Sequence, residues 1–175
     1  MAPTKKCIKS AAFLRCEALI IGGGLVGAAQ AIALAESGVN VCVVDQINPQ
    51  LSLGASFDGR TSAIALASQR ILQNIGVWDK LGSSPAPIKD IRVTDGPSLF
   101  FLHYDHRDLG NNPFGYIVEN RHMRQALMNR LAELPNVQVI APAKVQTLIR
   151  SSDAAEAQLE DGRVIKAQLI IAAEG

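Results

Sequence analysis

The residues best placed to do chemistry are Gly22-Gly23-Gly24-Leu25-Val26-Gly27 and Asp45. The first six form a G-x-G-x-x-G pattern, a phosphate cradle where a strand turns into a helix. Gly22 permits the tight turn, Gly24 lets the backbone approach a pyrophosphate, and Gly27 lets the helix pack close to the sheet. The helix start at Leu25 and Val26 offers unpaired N–H groups and a partial positive charge to an anion. Asp45 follows Gly27 by eighteen residues, close to the spacing of about 20 expected of an acid that accepts hydrogen bonds from ribose hydroxyls. No Arg or Lys stands between Asp45 and Arg60, which disfavours a 2′-phosphate. The pattern predicts an adenine dinucleotide, and on this motif alone FAD and NAD are both open.

Other constellations are weaker. His103, Asp105, His106 and Asp108 invite a metal reading, but two histidines three apart on a strand face opposite ways, so no metal site is expected. The run Gly54-Ala55-Ser56-Phe57-Asp58 fails the G-x-S-x-G elbow of a serine nucleophile, because its fifth position is not glycine. Cys7, Cys16 and Cys42 are too few and too irregular for a disulfide scaffold or a closed zinc site, and Cys42 reads as a small core residue. No catalytic side chain can be named.

The elements that must position the cradle can be read from pattern. Residues 18–35 approach the length of a membrane-spanning helix, interrupted only by Gln30, but Gly22, Gly23, Gly24 and Gly27 weaken a continuous helix by about 1 kcal/mol each. Two elements joined by a glycine turn fit better: a strand over 17–21, then a helix over 25–37 stopped by Gly38. A strand over 39–44 ends at Asp45. A loop over 46–60 leads to a helix over 62–75 with Ile64, Ala67, Ile71, Leu72 and Ile75 on one face. Pro85-Ala86-Pro87 reads as a stiff connector, followed by strands over 88–95, 98–104 and 114–119. Asn120 is placed as the N-cap of a helix reaching residue 134, with Leu127, Leu131 and Leu134 buried. A small meander with a hairpin at Asp161-Gly162 follows, and residues 168–173 read as a buried parallel strand. The fold class is therefore α/β: a Rossmann-like βαβ unit interrupted by strands of another layer, which is how two-domain flavoenzymes are threaded.

Three motifs in order carry a resemblance. The run 22–45, the segment Asp58-Gly59-Arg60-Thr61-Ser62-Ala63 followed by Gly76-Val77-Trp78, and Gly115-Tyr116-Ile117-Val118-Glu119-Asn120-Arg121 together resemble the flavin-dependent aromatic hydroxylases of ubiquinone biosynthesis. These are the 2-polyprenyl-6-methoxyphenol hydroxylase group, within the p-hydroxybenzoate-hydroxylase-like monooxygenases. The resemblance covers residues 17–175 and implies FAD as cofactor, NAD(P)H as reductant, and an aromatic substrate with a polyprenyl tail. It implies that Gly22, Gly24 and Gly27 hold the pyrophosphate and Asp45, where the family more often has Glu, the adenosine ribose. Arg60 matches an arginine near the diphosphate, a role suited to its planar fork. Asn120 and Arg121 match the start of the helix that approaches the flavin. Glu174-Gly175 stands where the family usually has Asp-Gly. Residues 88–119 would contribute to a substrate-side sheet. The family needs more than twice this length, so the resemblance implies an N-terminal FAD-binding part, incomplete at its C-terminus and not competent alone for turnover. A non-catalytic or truncated dinucleotide-binding module and an NAD-dependent dehydrogenase domain are the competing readings.

Composition bounds the rest. The 175 residues are 48% hydrophobic with 17 basic against 16 acidic residues, which excludes a disordered chain and gives no basic excess for nucleic acid. Residues 1–16 hold Lys5, Lys6, Lys9 and Arg15 and no acid, a basic tail without an apolar core for secretion, which reads as a disordered end or, alternatively, as an organelle-targeting or lipid-surface segment. The expected setting is the cytoplasm, and the resemblance implies a membrane-resident substrate that would draw the protein to the inner membrane surface or to a ubiquinone-pathway complex.

Overall fold

The computed structural model describes residues 13–48, 59–97, 99–151 and 154–174. The 1–12 part of the tail, the Gly54–Asp58 run and Gly175 lie outside the described residues.

A six-stranded sheet forms the frame, in the order β8-β2-β1-β11-β10-β9. Its parallel half comprises β1 (Phe13–Ile21), β2 (Val41–Val44), β8 (Val137–Ile140) and β11 (Val164–Ala172). The hairpin strands β9 (Val145–Arg150) and β10 (Ala155–Leu159) extend it antiparallel. β1 begins at Phe13, not at Glu17: residues 13–16 pair with residues 164–167, so the basic tail cedes its last four positions to the sheet. That pairing joins residues about 150 positions apart, and no local pattern announces it.

Helix α1 (Leu25–Glu36) crosses from β1 to β2. Its run of alanines favours helix and lets it lie close to the sheet. Gly38, at φ +86°, ends it, with the Val39 N–H returning to the Leu34 carbonyl. Alternation along the strands then sorts two cores. Ile20 and Val43 face α1, where Ala28, Ala31 and Ile32 meet Met123, Ala126, Leu127 and Leu131 of α3 (Asn120–Ala132). Leu19, Ile21, Cys42 and Val44 face the other way, against Ile140, Leu159 and Ile165. Complete burial of side chains such as Ile20, Ile32 and Leu127 contributes about 1.5–3 kcal/mol each.

A second, three-stranded sheet in the order β3-β7-β4 stands beside the first, made from β3 (Thr61–Ala65), β4 (Ala86–Ile88) and β7 (Gly115–Glu119). Here local reading fails twice. The predicted helix over 62–75 begins as strand, because β3 pairs with β7, and only α2 (Leu66–Asn74) is helical. Of the predicted apolar face, Leu72 and Ile75 are buried, whereas Ile71 is 60% exposed. Likewise Pro85-Ala86-Pro87 is not a bare connector: Ala86–Ile88 is the edge strand beside β7, where a proline lacking an N–H is tolerated. Gly115 allows this assembly, since a side chain there would collide with the Ile64 carbonyl. β5 (Asp90–Thr94) and β6 (Phe101–Asp105) form a separate two-stranded ribbon. Finally, β11 is parallel to β1 as expected, yet Leu169 is 51% exposed, so its C-terminal half is not the buried strand predicted.

Candidate functional site

The ends of β1, β2 and β11 build the glycine turn. The Gly22 N–H donates to the Val44 carbonyl at 2.8 Å, and the Ala173 N–H donates to the Ile21 carbonyl at 2.7 Å. Gly22 has φ +101°, and a Cβ there would stand 2.5 Å from the Ala173 oxygen, so the tight-turn role holds. A Cβ on Gly27 would strike the Gly22 carbonyl oxygen, which explains the close helix seat. Gly24 is different: nothing lies within 4 Å of an added Cβ, and its backbone is ordinary extended. Glycine there serves nothing internal. It keeps clear the space in front of the α1 N-terminus, where the first helical amides, including those of Leu25 and Val26, lack intrahelical acceptors.

Asp45 faces this turn. Its Oδ2 accepts from the Gly23 N–H at 2.5 Å and its Oδ1 from the Ile47 N–H at 2.7 Å. The acid therefore braces the glycine turn as well as facing the space beside it, a second role that spacing alone does not reveal. A carboxylate has about four acceptor positions, so two backbone donors do not exhaust it. Gly22, Gly24, Asp45, Ile47, Val145 and Glu174 line one cavity of about 350 Å³, within the range of small-molecule sites. Ile47 and Val145 add apolar wall that sequence reasoning missed. Val145 arrives from the β8–β9 corner, over a hundred residues from the motif, and no motif marks it.

Arg60, Asn120 and Arg121 do not line that cavity. They form a second cluster at the junction of β3, β7 and α3. The Asn120 N–H donates to the Arg60 carbonyl at 3.0 Å, the Ser62 hydroxyl donates to Asn120 Oδ1 at 2.6 Å, and Arg121 Nε donates to Glu119 Oε2 at 2.6 Å. Asn120 is not the N-cap: it is the first helical residue, Glu119 holds the cap position, and the Asn120 amide is engaged sideways by Ser62 instead. Met123 of α3 and Leu25 and Val26 of α1 border one groove, so the two helix starts stand on the same side of the main sheet.

The demoted constellations have ordinary partners. His103 pairs with Asp90 at 2.8 Å, while His106 Nδ1 lies 3.1 Å from the Lys89 carbonyl. The Arg107 guanidinium holds the Asp105 carboxyl well below the usual carboxylate range. Among the described residues no three His, Cys, Asp or Glu converge to hold a metal ion. Hydrogen bonding with Cys16, then burial, pushes the Cys42 thiol up, consistent with a protonated core residue.

Comparison with known proteins fits this geometry. The chain is 50% identical over 159 residues to the ubiquinone hydroxylase UbiL of Rhodospirillum rubrum, covering 91% of this chain and 37% of that protein. It is 35% identical over 161 residues to the 3-demethoxyubiquinol 3-hydroxylase of Escherichia coli, covering 91% and 41%. Among solved structures, p-nitrophenol 4-monooxygenase PnpA from Pseudomonas putida DLL-E4 superposes with a TM-score of 0.76 at 20% identity, covering 94% of this chain and 42% of that one. The flavin-dependent monooxygenase PieE, solved in complex with FAD and substrate, gives 0.73 at 18% identity, covering 93% and 30%. These structures share the fold, and the chain spans less than half the length of each protein named. The family described as FAD binding domain matches residues 15–175, and with a match of that extent the chain belongs to it.

Proposed function

We propose that this chain is the FAD-binding part of a flavin-dependent hydroxylase that places one oxygen atom on the aromatic ring of a polyprenylated phenol in ubiquinone biosynthesis, with NAD(P)H as reductant. The observation that carries the nucleotide role is the open space over Gly24, bounded by the α1 N-terminus and Asp45. The names of the two curated relatives carry the reaction class. Bound FAD supplies the oxygen-activating chemistry, and the protein supplies position, electrostatics and exclusion of water.

In this reading, the N–H groups around Gly24, Leu25 and Val26 bind the diphosphate, with Gly22 and Gly27 fixing the turn behind them. Asp45 accepts from the adenosine ribose, and Ile47 and Val145 give the base an apolar wall. Arg60, Asn120 and Arg121 meet the cofactor beyond the α1 N-terminus, Glu174 continues the binding edge past β11, and Gly175 joins it as a cofactor residue by resemblance. Residues 88–119 belong to the substrate-side sheet. A polyprenyl tail resides in the bilayer, so the reading includes peripheral contact with a membrane. No helix of the described residues is long and apolar enough to cross one.

A titration tests the proposal. Flavin-stripped protein should take up one FAD per chain, turn yellow, rise in melting temperature, and lose its flavin colour when NAD(P)H is added without oxygen. A melting temperature that responds to NAD and ignores FAD would sink it in favour of a dehydrogenase domain.

A further inference from the structure

Glu119 occupies the N-cap position of α3 yet does not cap it: no side-chain hydrogen bond reaches the helix N–H groups. Glu is not among the residues that cap a helix well, so its carboxylate is left to other partners, while its charge still complements the helix dipole. Its carboxylate instead accepts from Arg121 Nε at 2.6 Å, with both side chains about one-third exposed. The backbone on either side is fixed. Glu119 is in register with Thr61 across the β3–β7 ladder, and the next N–H, that of Asn120, is bonded to Arg60. The bond to Glu119 anchors the Arg121 guanidinium at Nε and restrains where its planar fork can lie.

We propose that Glu119 is a positioning residue that aims Arg121 toward the cofactor, an inference that rests on the reading of Arg121 as a cofactor contact. The electrostatics give the idea a sharp sign. A carboxylate beside an anion-binding cation lowers the local positive potential, so by charge alone its removal should strengthen FAD binding. If Glu119 works by orientation, removal should weaken it.

The test is the FAD dissociation constant of the flavin-stripped full chain, read by flavin fluorescence, with apo-protein melting temperature as the fold control. Glu119→Ala is expected to weaken binding about fivefold, the size of one ordinary, partly exposed hydrogen bond, without lowering the apo melting temperature in proportion. Glu119→Gln keeps an acceptor oxygen at the same reach and should restore binding to within about twofold. In an Arg121→Ala background, Glu119→Ala should weaken binding no further, because the effect passes through Arg121. Tighter binding by Glu119→Ala, or additive losses in the double variant, would overturn the positioning role while leaving Arg121 as a contact. Unchanged affinity in Arg121→Ala alone would instead overturn the underlying reading of that arginine.

Discussion

Gly24 and Gly27 lie one helical turn apart, but a side chain has opposite consequences at the two. At Gly24 there is room, an extended backbone and an N-cap position, where Thr serves about as well as Gly. Gly24→Thr should therefore leave the apo melting temperature within about 2 °C while raising the FAD dissociation constant tenfold or more. At Gly27 a methyl group meets the Gly22 carbonyl, so Gly27→Ala forces α1 off the sheet and should cost about 1–3 kcal/mol before any nucleotide is added. Equal loss of apo stability in both variants would mean that Gly24 is structural and the open space irrelevant. The three glycines were legible in the sequence because their spacing is local and each role follows from backbone geometry. The bracing of Gly23 by Asp45 was not: it needs the end of β2 to lie beside the turn, which only sheet pairing provides.

Among elements, those with their own periodicity were readable and those completed by distant partners were not. The alanine-rich α1, the apolar face of α3 and the Asp161-Gly162 hairpin carry local signals. β3 and β4 acquire their conformation from β7, so the same residues looked helical or merely stiff in isolation. What binds these elements together also comes from afar. Arg130 of α3 donates from Nε to the Ile75 carbonyl at 3.1 Å, pairs with Glu133 at 3.0 Å, and reaches Glu36 at the end of α1. Its guanidinium lies under Gly76, where a Cβ would come within 3.1 Å. Arg130→Met should cost about 1–2 kcal/mol, since it takes a donor from the Ile75 carbonyl and an ion-pair partner from Glu36 and Glu133, read as a fall in melting temperature of about 2–8 °C. Lys80, paired with Glu133 at 2.6 Å nearer the surface, should cost under about 1 kcal/mol as Lys80→Ala. If the two losses matched, the three-element clasp would be no more than another surface ion pair.

At the scale of the whole molecule, charge rather than packing sets how stability varies with pH. Among the described residues no polar or charged residue is buried as a whole, although Arg124 Nε and His122 Nδ1 are individually shielded from solvent. Exposed ion pairs are distributed instead over the ribbon, the helical face and the meander. Arg107 lowers the pKa of Asp105, Lys80 and then Arg130 that of Glu133, and Arg163 that of Asp161. Each carboxylate is more acidic folded than unfolded, so the folded state binds fewer protons. Its contribution is complete above the unfolded carboxylate range, near pH 4, and is lost as pH falls through the depressed folded values. Urea midpoints should thus be flat with respect to these groups from about pH 5 to 8 and decline below about pH 4. The combined Asp105→Asn, Glu133→Gln and Asp161→Asn variant should decline less steeply. Because all three pairs are solvent-exposed, added salt should shrink the difference between variant and parent. A parent and variant with superimposable acid limbs would show that these pairs, although well formed, contribute nothing to folding, and that the two apolar cores carry the molecule alone.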